Sequence, residues 1–454
     1  MKQIVKKYWW QILLVFILLA ASYLRLHQIR NYMTFLGDEG RDVLIVRRMI
    51  VDHKFTLLGP TASVGGFFLG PIYYYFMLPF LWFWKLDPVG PAIMVALFGI
   101  ATVFLVFKMG KDLFGIRTGL LAASLYAFSP LVIAYSQSSW NPNVVPFFSL
   151  LLISKLWDVT SSKRVRDAFW VGIILGIGIQ LHYLFLFLFI CVGAWYILHI
   201  RRLSILSVVG LTFLGFIVGA SPFIAFEFRH GLANTRSIIQ FVLAGKDTGF
   251  SASSYFSTIG DVLFRLFGRL IFRTPTSDIW SNYPVWYITS LIVLTKISLY
   301  VSLVYVAFGA VRKKSFLLLA VWFGVTVLLF GFYKKAIYDY YFGILFPLPF
   351  LLVSVVFTKL ASVRRGSWIV GTLFVGLLYF NWLGRPFVYQ PNNQVDQVAL
   401  IARTVLDKTD GKPFNFALIT GGNSDHAYRY FFEIWGRPPG VIENAQVDPI
   451  RKTV

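Results

Sequence analysis

The feature that most constrains this chain is a succession of long apolar runs separated by short basic segments. The lysines and arginines gather at Lys2, Lys6 and Lys7; Lys108, Lys111 and Arg117; Lys155, Lys163, Arg164 and Arg166; Arg201 and Arg202; Arg312, Lys313 and Lys314; and Lys359, Arg364 and Arg365. Only Asp112, Asp158 and Asp167 accompany them. Charged residues make up 14% of the chain, against about 25% in soluble domains. No core that 454 residues can build would hide the remaining apolar surface. The pattern predicts an all-α polytopic membrane protein. The basic segments then mark the cytoplasmic side and contact anionic lipid heads. The net charge of +22 is thereby a topology signal, and no nucleic-acid partner is implied. The single cysteine, Cys191, lies in an apolar run, which excludes a disulfide framework and a thiolate metal site.

The first run follows Lys6-Lys7 without a small-residue cleavage site, so it reads as a retained helix. Spans are expected at 9–24, 89–107, 119–135, 144–157, 168–181, 183–200, 204–226, 285–310, 316–332, 341–358 and 367–384, about eleven transmembrane helices. This places the C-terminus outside a multi-pass protein of the plasma membrane. Residues 71–86 are apolar enough to cross, but crossing there would put every later basic segment on the wrong side. They read instead as an outer juxtamembrane element, rich in headgroup-belt residues (Tyr73, Tyr74, Tyr75, Trp82 and Trp84), with Pro79 expected to interrupt any helix. Residues 1–384 form the transmembrane domain, with outer loops 27–88 (carrying juxtamembrane helices) and 227–284. Residues 385–454 read as a small extracytoplasmic α/β appendage, with a strand from Asn415 to Thr420 and a helix from His426 to Trp435.

The stretch Gly37-Asp38-Glu39-Gly40-Arg41-Asp42 precedes apolar positions Val43, Val46 and Ile50, the spacing of an amphipathic helix on the membrane surface. Asp38 at its start has two readings, a helix N-cap or a carboxylate facing a cavity. Glu39 points elsewhere, free to orient a neighbour or bind a cation.

The arrangement resembles the GT-C glycosyltransferases, specifically the protein O-mannosyltransferase-like family (glycosyltransferase family 39 and bacterial relatives, including lipid A aminoarabinose transferases). The resemblance rests on four features spread over residues 5–385: the Asp38-Glu39 pair after the first helix; Gly70-Pro71-Ile72-Tyr73-Tyr74; Leu113-Phe114-Gly115 before a helix ending in Ser129-Pro130; and Tyr340-Tyr341 followed by Pro347. It implies a sugar moved, with inversion, from a polyprenyl-phosphate carrier to an extracytoplasmic hydroxyl on a lipid, saccharide or protein. It also implies that Asp38 is the general base, with Glu39 beside it and possible use of a divalent metal ion. The second outer loop departs from several relatives in having no carboxylate: it reads Ser136 to Asn143, where Asn141 and Asn143 either contact an acceptor or cap the next helix. This weakens the case for a metal.

Arg41 is placed to grip Asp38 or a phosphate. Lys334 and Lys335 stand on the outer side against the topological preference, either for the donor phosphate or for lipid headgroups, with Tyr340 and Tyr341 close behind. His182 sits in a short outer turn as a phosphate or metal contact, or as an interfacial residue. Lys296, inside an apolar run, is either a functional charge or the outer end of a short span. The competing function classes are a transporter or flippase of lipid-linked saccharides, which would place polar groups at the midplane in repeated halves, and a saccharide ligase, which would not require the acidic pair.

Overall fold

The computed structural model describes residues 2–62, 66–161, 164–200, 202–243 and 248–440. Lys163, Arg201 and the tail beyond Gly440 lie outside the described residues. Helices α1 (Lys2–Leu26) and α2 (Ile29–Tyr32) lead into α3 (Gly37–Val51) and α4 (Ile72–Phe83). The bundle continues through α5 (Val89–Phe114), α6 (Ile116–Phe128), α7 (Pro130–Tyr135), α8 (Val145–Ser161), α9 (Asp167–Leu181), α10 (Leu186–His199) and α11 (Arg202–Gly219). Three helices, α12 (Ser221–Arg229), α13 (Ala233–Leu243) and α14 (Ala252–Ile271), occupy the long loop. The chain then returns through α15 (Val285–Ala310), α16 (Lys314–Phe330), α17 (Pro347–Ala361) and α18 (Gly366–Trp382), and ends in α19 (Gln394–Lys408) and α20 (His426–Ile434).

The apolar helices are those of a membrane protein, but their lengths differ from eleven uniform spans. Four are long and apolar enough to cross, or six if two bent pairs each count as one. Another six apolar helices are shorter, at 10–17 residues. The expected span 119–135 is divided at Ser129, because Pro130 has no amide to continue α6 and instead opens α7. The span 204–226 bends by 73° between α11 and α12, and 341–358 bends by 58° where a 3-10 turn (Asp339–Leu345) meets α17. Short or broken helices of this kind are tolerated where protein, not lipid, surrounds them.

Two expectations need correction. Helix α4 runs unbroken through Pro79, although that proline leaves the Tyr75 carbonyl without an i→i−4 amide. Twelve residues make α4 about 18 Å long, against a hydrocarbon core of about 30 Å. The second concerns the tail. Residues 415–420 are not a strand: among the described residues no second segment pairs with them in a ladder. Among the described residues the only bridges are Thr61 with Phe68 and Thr248 with Tyr333, both isolated. A lone extended segment has nowhere to direct its ladder hydrogen bonds. The helix expected at His426 is present as α20, whereas α19 was not anticipated.

Close helix crossings hold the bundle together. Helices α9 and α11 meet through Gly172 and Gly176 on one side and Gly215 and Gly219 on the other. A Cβ at any of the four would strike the facing backbone, so the two helices approach as small-residue membrane pairs do. The tail is anchored on the first loop. Helix α20 lies against α3 so tightly that a Cβ at Gly40 would collide with the backbone of His426 and Ala427. Phe35 packs edge-on against Tyr430 and Phe431, and the Tyr430 hydroxyl donates to the Leu86 carbonyl. Arg48 pairs with Glu433 at 3.1 Å, while Arg30 joins Asp87 at 2.7 Å and Asp396 at 2.8 Å.

Candidate active site

The start of α3 is fixed by its own sequence and by the tail. The Glu39 carboxylate turns back to accept the Leu36 amide at 3.0 Å, capping the start of its own helix. The Gly37 amide donates to Asn423 Oδ1 at 2.9 Å, from the loop before α20. Glu39 is buried, and desolvation raises its pKa to about 7, with its backbone hydrogen bonds opposing and the Asp38 and Asp42 charges adding to the rise.

One turn on, Arg41 links two carboxylates. Its Nη1 donates to Asp38 Oδ1 at 2.8 Å, and its Nε and Nη2 donate to Asp42 Oδ1 at 3.0 and 2.8 Å. Asp42 is fully buried and also accepts the Tyr74 hydroxyl from α4 at 3.2 Å. Burial pushes Asp42 up to about 6, against the pull of Arg41. Burial also works against the Arg41 charge, but Asp42, Tyr74 and Asp38 outweigh it and hold the guanidinium charged. Asp38 is different. Its side chain is 54% exposed, and Arg41 is its one charged partner among the described residues.

Asp38 and Arg41 open into a cleft whose empty space, open solvent included, is about 360 Å³. Five separate segments line it: α3; the hairpin residues Pro60, Thr61, Ala62 and Leu69; Trp140 to Pro142; His182 with Tyr183; and Tyr340. A second cavity of about 330 Å³ adjoins it through Pro142 and Tyr340. Asn141 donates its amide to the Leu181 carbonyl at 2.7 Å, which ties the second loop to the end of α9. His182 Nδ1 accepts the Leu184 amide at 3.2 Å, and burial lowers its pKa to about 3. Burial thus favours the neutral imidazole, and with Nδ1 accepting, its proton sits on Nε2 and the ring offers one N–H donor. Tyr341 is buried against His182, with ring centroids 5.4 Å apart, while Tyr340 lies tilted against Trp140, 4.4 Å between centroids, and reaches the cavity.

The structure thus gathers Asp38, Arg41, Asn141, His182 and Tyr340, and leaves out other candidates. Glu39 does not line the cavity; it caps its own helix. Lys334 and Lys335 are exposed beside the Thr248–Tyr333 bridge and do not line it either. Among the described residues no three His, Cys, Asp or Glu side chains converge to hold a metal ion. With Glu39 turned inward, Asp38 is the one carboxylate among the described residues that lines the cavity, too little negative charge for the oxygen shell a divalent ion takes.

Several residues escaped the reading of the sequence. Asp42 and Tyr74 brace Arg41 from behind. Asn234, on α13, holds the hairpin wall by accepting the Phe68 amide at 2.8 Å and donating to the Phe68 carbonyl at 2.6 Å. Arg265 and Arg269, both on α14, pair with buried Asp339 at 2.6 and 2.8 Å, just before Tyr340. Their i, i+4 spacing on an amphipathic helix was a visible signal; their partner was not.

The fold agrees with the comparisons. The Dolichyl-phosphate-mannose-protein mannosyltransferase family matches residues 72–226 of the 454. ArnT from Cupriavidus metallidurans, in its structure bound to undecaprenyl phosphate, superposes with a TM-score of 0.64 at 13% identity, covering 98% of this chain and 87% of that one. The chain has the GT-C glycosyltransferase fold. An oligosaccharyltransferase from Archaeoglobus fulgidus, tethered to an acceptor peptide, superposes with a TM-score of 0.53 at 14% identity. It covers 96% of this chain, which spans only 64% of that protein's length. No curated protein matches the sequence. The family match takes in Asn141 and His182 but begins beyond Asp38 and Arg41, so for these two the GT-C reading rests on fold and position.

Proposed function

We propose that this GT-C chain is a membrane glycosyltransferase that moves a sugar from a polyprenyl-phosphate donor to an acceptor hydroxyl on the extracytoplasmic side. The observation that carries the reading is the convergence of an exposed carboxylate, Asp38, and a braced guanidinium, Arg41, on one cavity. The undecaprenyl phosphate bound to ArnT supports a lipid phosphate as the donor's carrier. Asp38 takes the proton of the acceptor hydroxyl as its oxygen attacks the anomeric carbon. The bond from that carbon to the phosphate oxygen breaks, and polyprenyl phosphate departs with the bonding pair. Arg41, fixed by Asp42, faces the charge that develops on the leaving phosphate. A single displacement of this kind inverts the anomeric carbon. His182 Nε2–H and the Tyr340 hydroxyl serve as neutral donors for sugar or phosphate oxygens. Pro60, Thr61, Ala62 and Leu69 form a further wall.

The test uses purified protein in liposomes, polyprenyl-phosphate sugars and a panel of lipid, saccharide and peptide acceptors. Transfer is expected with one donor–acceptor pair and is expected to drop at least a hundredfold in Asp38→Asn, with folding intact. Full activity in Asp38→Asn and Asp38→Ala would remove Asp38 as the base. Facilitated movement of the intact lipid-linked sugar across the bilayer, without transfer, would favour the flippase.

A further inference from the structure

Lys296 stands in the middle of α15, a 26-residue helix long and apolar enough to cross a membrane. At 1.5 Å per residue it lies about 16 Å from the Val285 end and about 21 Å from the Ala310 end. Tyr283, Trp286 and Tyr287 mark the first end as a headgroup belt, and Arg312, Lys313 and Lys314 mark the second as basic. Lys296 therefore sits deep in a hydrocarbon core about 30 Å thick, beyond the reach of a four-carbon stem to either surface. Its side chain is exposed, and it makes no hydrogen bond or ion pair among the described residues.

Neighbouring positions make this a face and not a single misplaced charge. At about 100° per residue, Thr289, Val293, Lys296, Tyr300 and Ala307 fall along one side of α15, and all five are exposed. Helices α14, α16 and α17 pack on the other sides. An unpaired ammonium at this depth is strongly unfavourable, and intramembrane charges pair with one another where they persist. This chain cannot supply the counter-ion through a second copy. Among the described residues no aspartate or glutamate stands in the middle of a membrane-length apolar helix; Asp112, Asp158 and Asp167 all lie at helix ends.

We propose that this face of α15 docks a transmembrane helix of another protein, one that carries an aspartate or glutamate at mid-depth as the counter-ion of Lys296.

The test places the full-length protein in liposomes with a synthetic Leu/Ala transmembrane helix carrying one central Asp, and measures association by energy transfer. The Asp peptide is expected to bind wild type and Lys296→Arg, and to bind Lys296→Met at least tenfold more weakly. Its Asn counterpart is expected to bind all three proteins as weakly as that. Equal binding in every combination, or no binding of the Asp peptide to wild type, would overturn the proposal. So would modification of Lys296 by a water-soluble amine reagent, mapped by mass spectrometry, at the rate of exposed Lys334. That result would mean the amine reaches a lipid headgroup instead.

Discussion

Replacing Glu39 by glutamine tests whether this carboxylate serves the helix or a bound cation. In the structure Glu39 is buried, and among the described residues its hydrogen-bond partners are backbone amides at its own helix start. Burial lifts its pKa from an ordinary 4.5 to about 7. A raised acid pKa stabilises the folded protein fully below the unfolded value. That contribution is lost as pH rises from about 4.5 through about 7. At 1.36 kcal/mol for each tenfold change in protonation, the ionised side chain costs about 3 kcal/mol at pH 8. Glutamine keeps the capping acceptor and removes the charge. Glu39→Gln is therefore expected to match wild type at pH 4 and to exceed it by up to about 3 kcal/mol at pH 8. Unfolding in mixed micelles across that range measures the difference, and sugar transfer should survive the change. A variant less stable than wild type at pH 8 would refute the reasoning, because it would mean that the ionised carboxylate has a cationic partner, a metal ion included.

The other predictions follow from neighbouring contacts. Asp42→Asn removes the charge that fixes Arg41 from behind; losing one charge-assisted hydrogen bond of about 1.5–3 kcal/mol should lower kcat tenfold or more and leave donor KM nearly unchanged. Asn234→Ala strips both partners from the Phe68 backbone and should destabilise the hairpin by about 1–3 kcal/mol, seen as faster hydrogen exchange at Phe68 and a higher KM. Gly40→Val drives a side chain into the backbone of α20 and should cost about 1–3 kcal/mol, with limited proteolysis then cutting between residues 385 and 440. His182 is held neutral well below its ordinary 6.5, so the pH–rate profile should show no limb from it near that value, and His182→Ala should lower the rate without changing the shape of the profile.

Membrane residence, an all-helical build and the position of the acidic pair were legible in the chain. Each depends on local order: apolar run length, basic punctuation, and the spacing of Val43, Val46 and Ile50 after Asp38. Even Arg41 could be placed beside Asp38, because three residues apart on a helix are neighbours. The division of labour within the pair was not legible. Both residues are acidic, and only the turn of α3 and the burial around Glu39 assign one to the cap and leave the other exposed.

The rest came from contacts between distant residues. Asn423 on the Gly37 amide, Asn234 on Phe68, and Arg265 and Arg269 on Asp339 each join segments far apart in the chain, and no periodicity reports them. The tail reads in isolation as a small α/β unit, but its apolar face is used up on α3 and leaves no sheet to complete. Sequence alone therefore determined that the chain carries apolar helices of the membrane type and where the acidic pair opens α3, because hydrophobic period and helix capping are properties of neighbours. Tertiary structure decided which side chains share the cavity, which are neutral inside it, and that Lys296 faces outward without a partner, because burial depends on what the rest of the chain brings alongside.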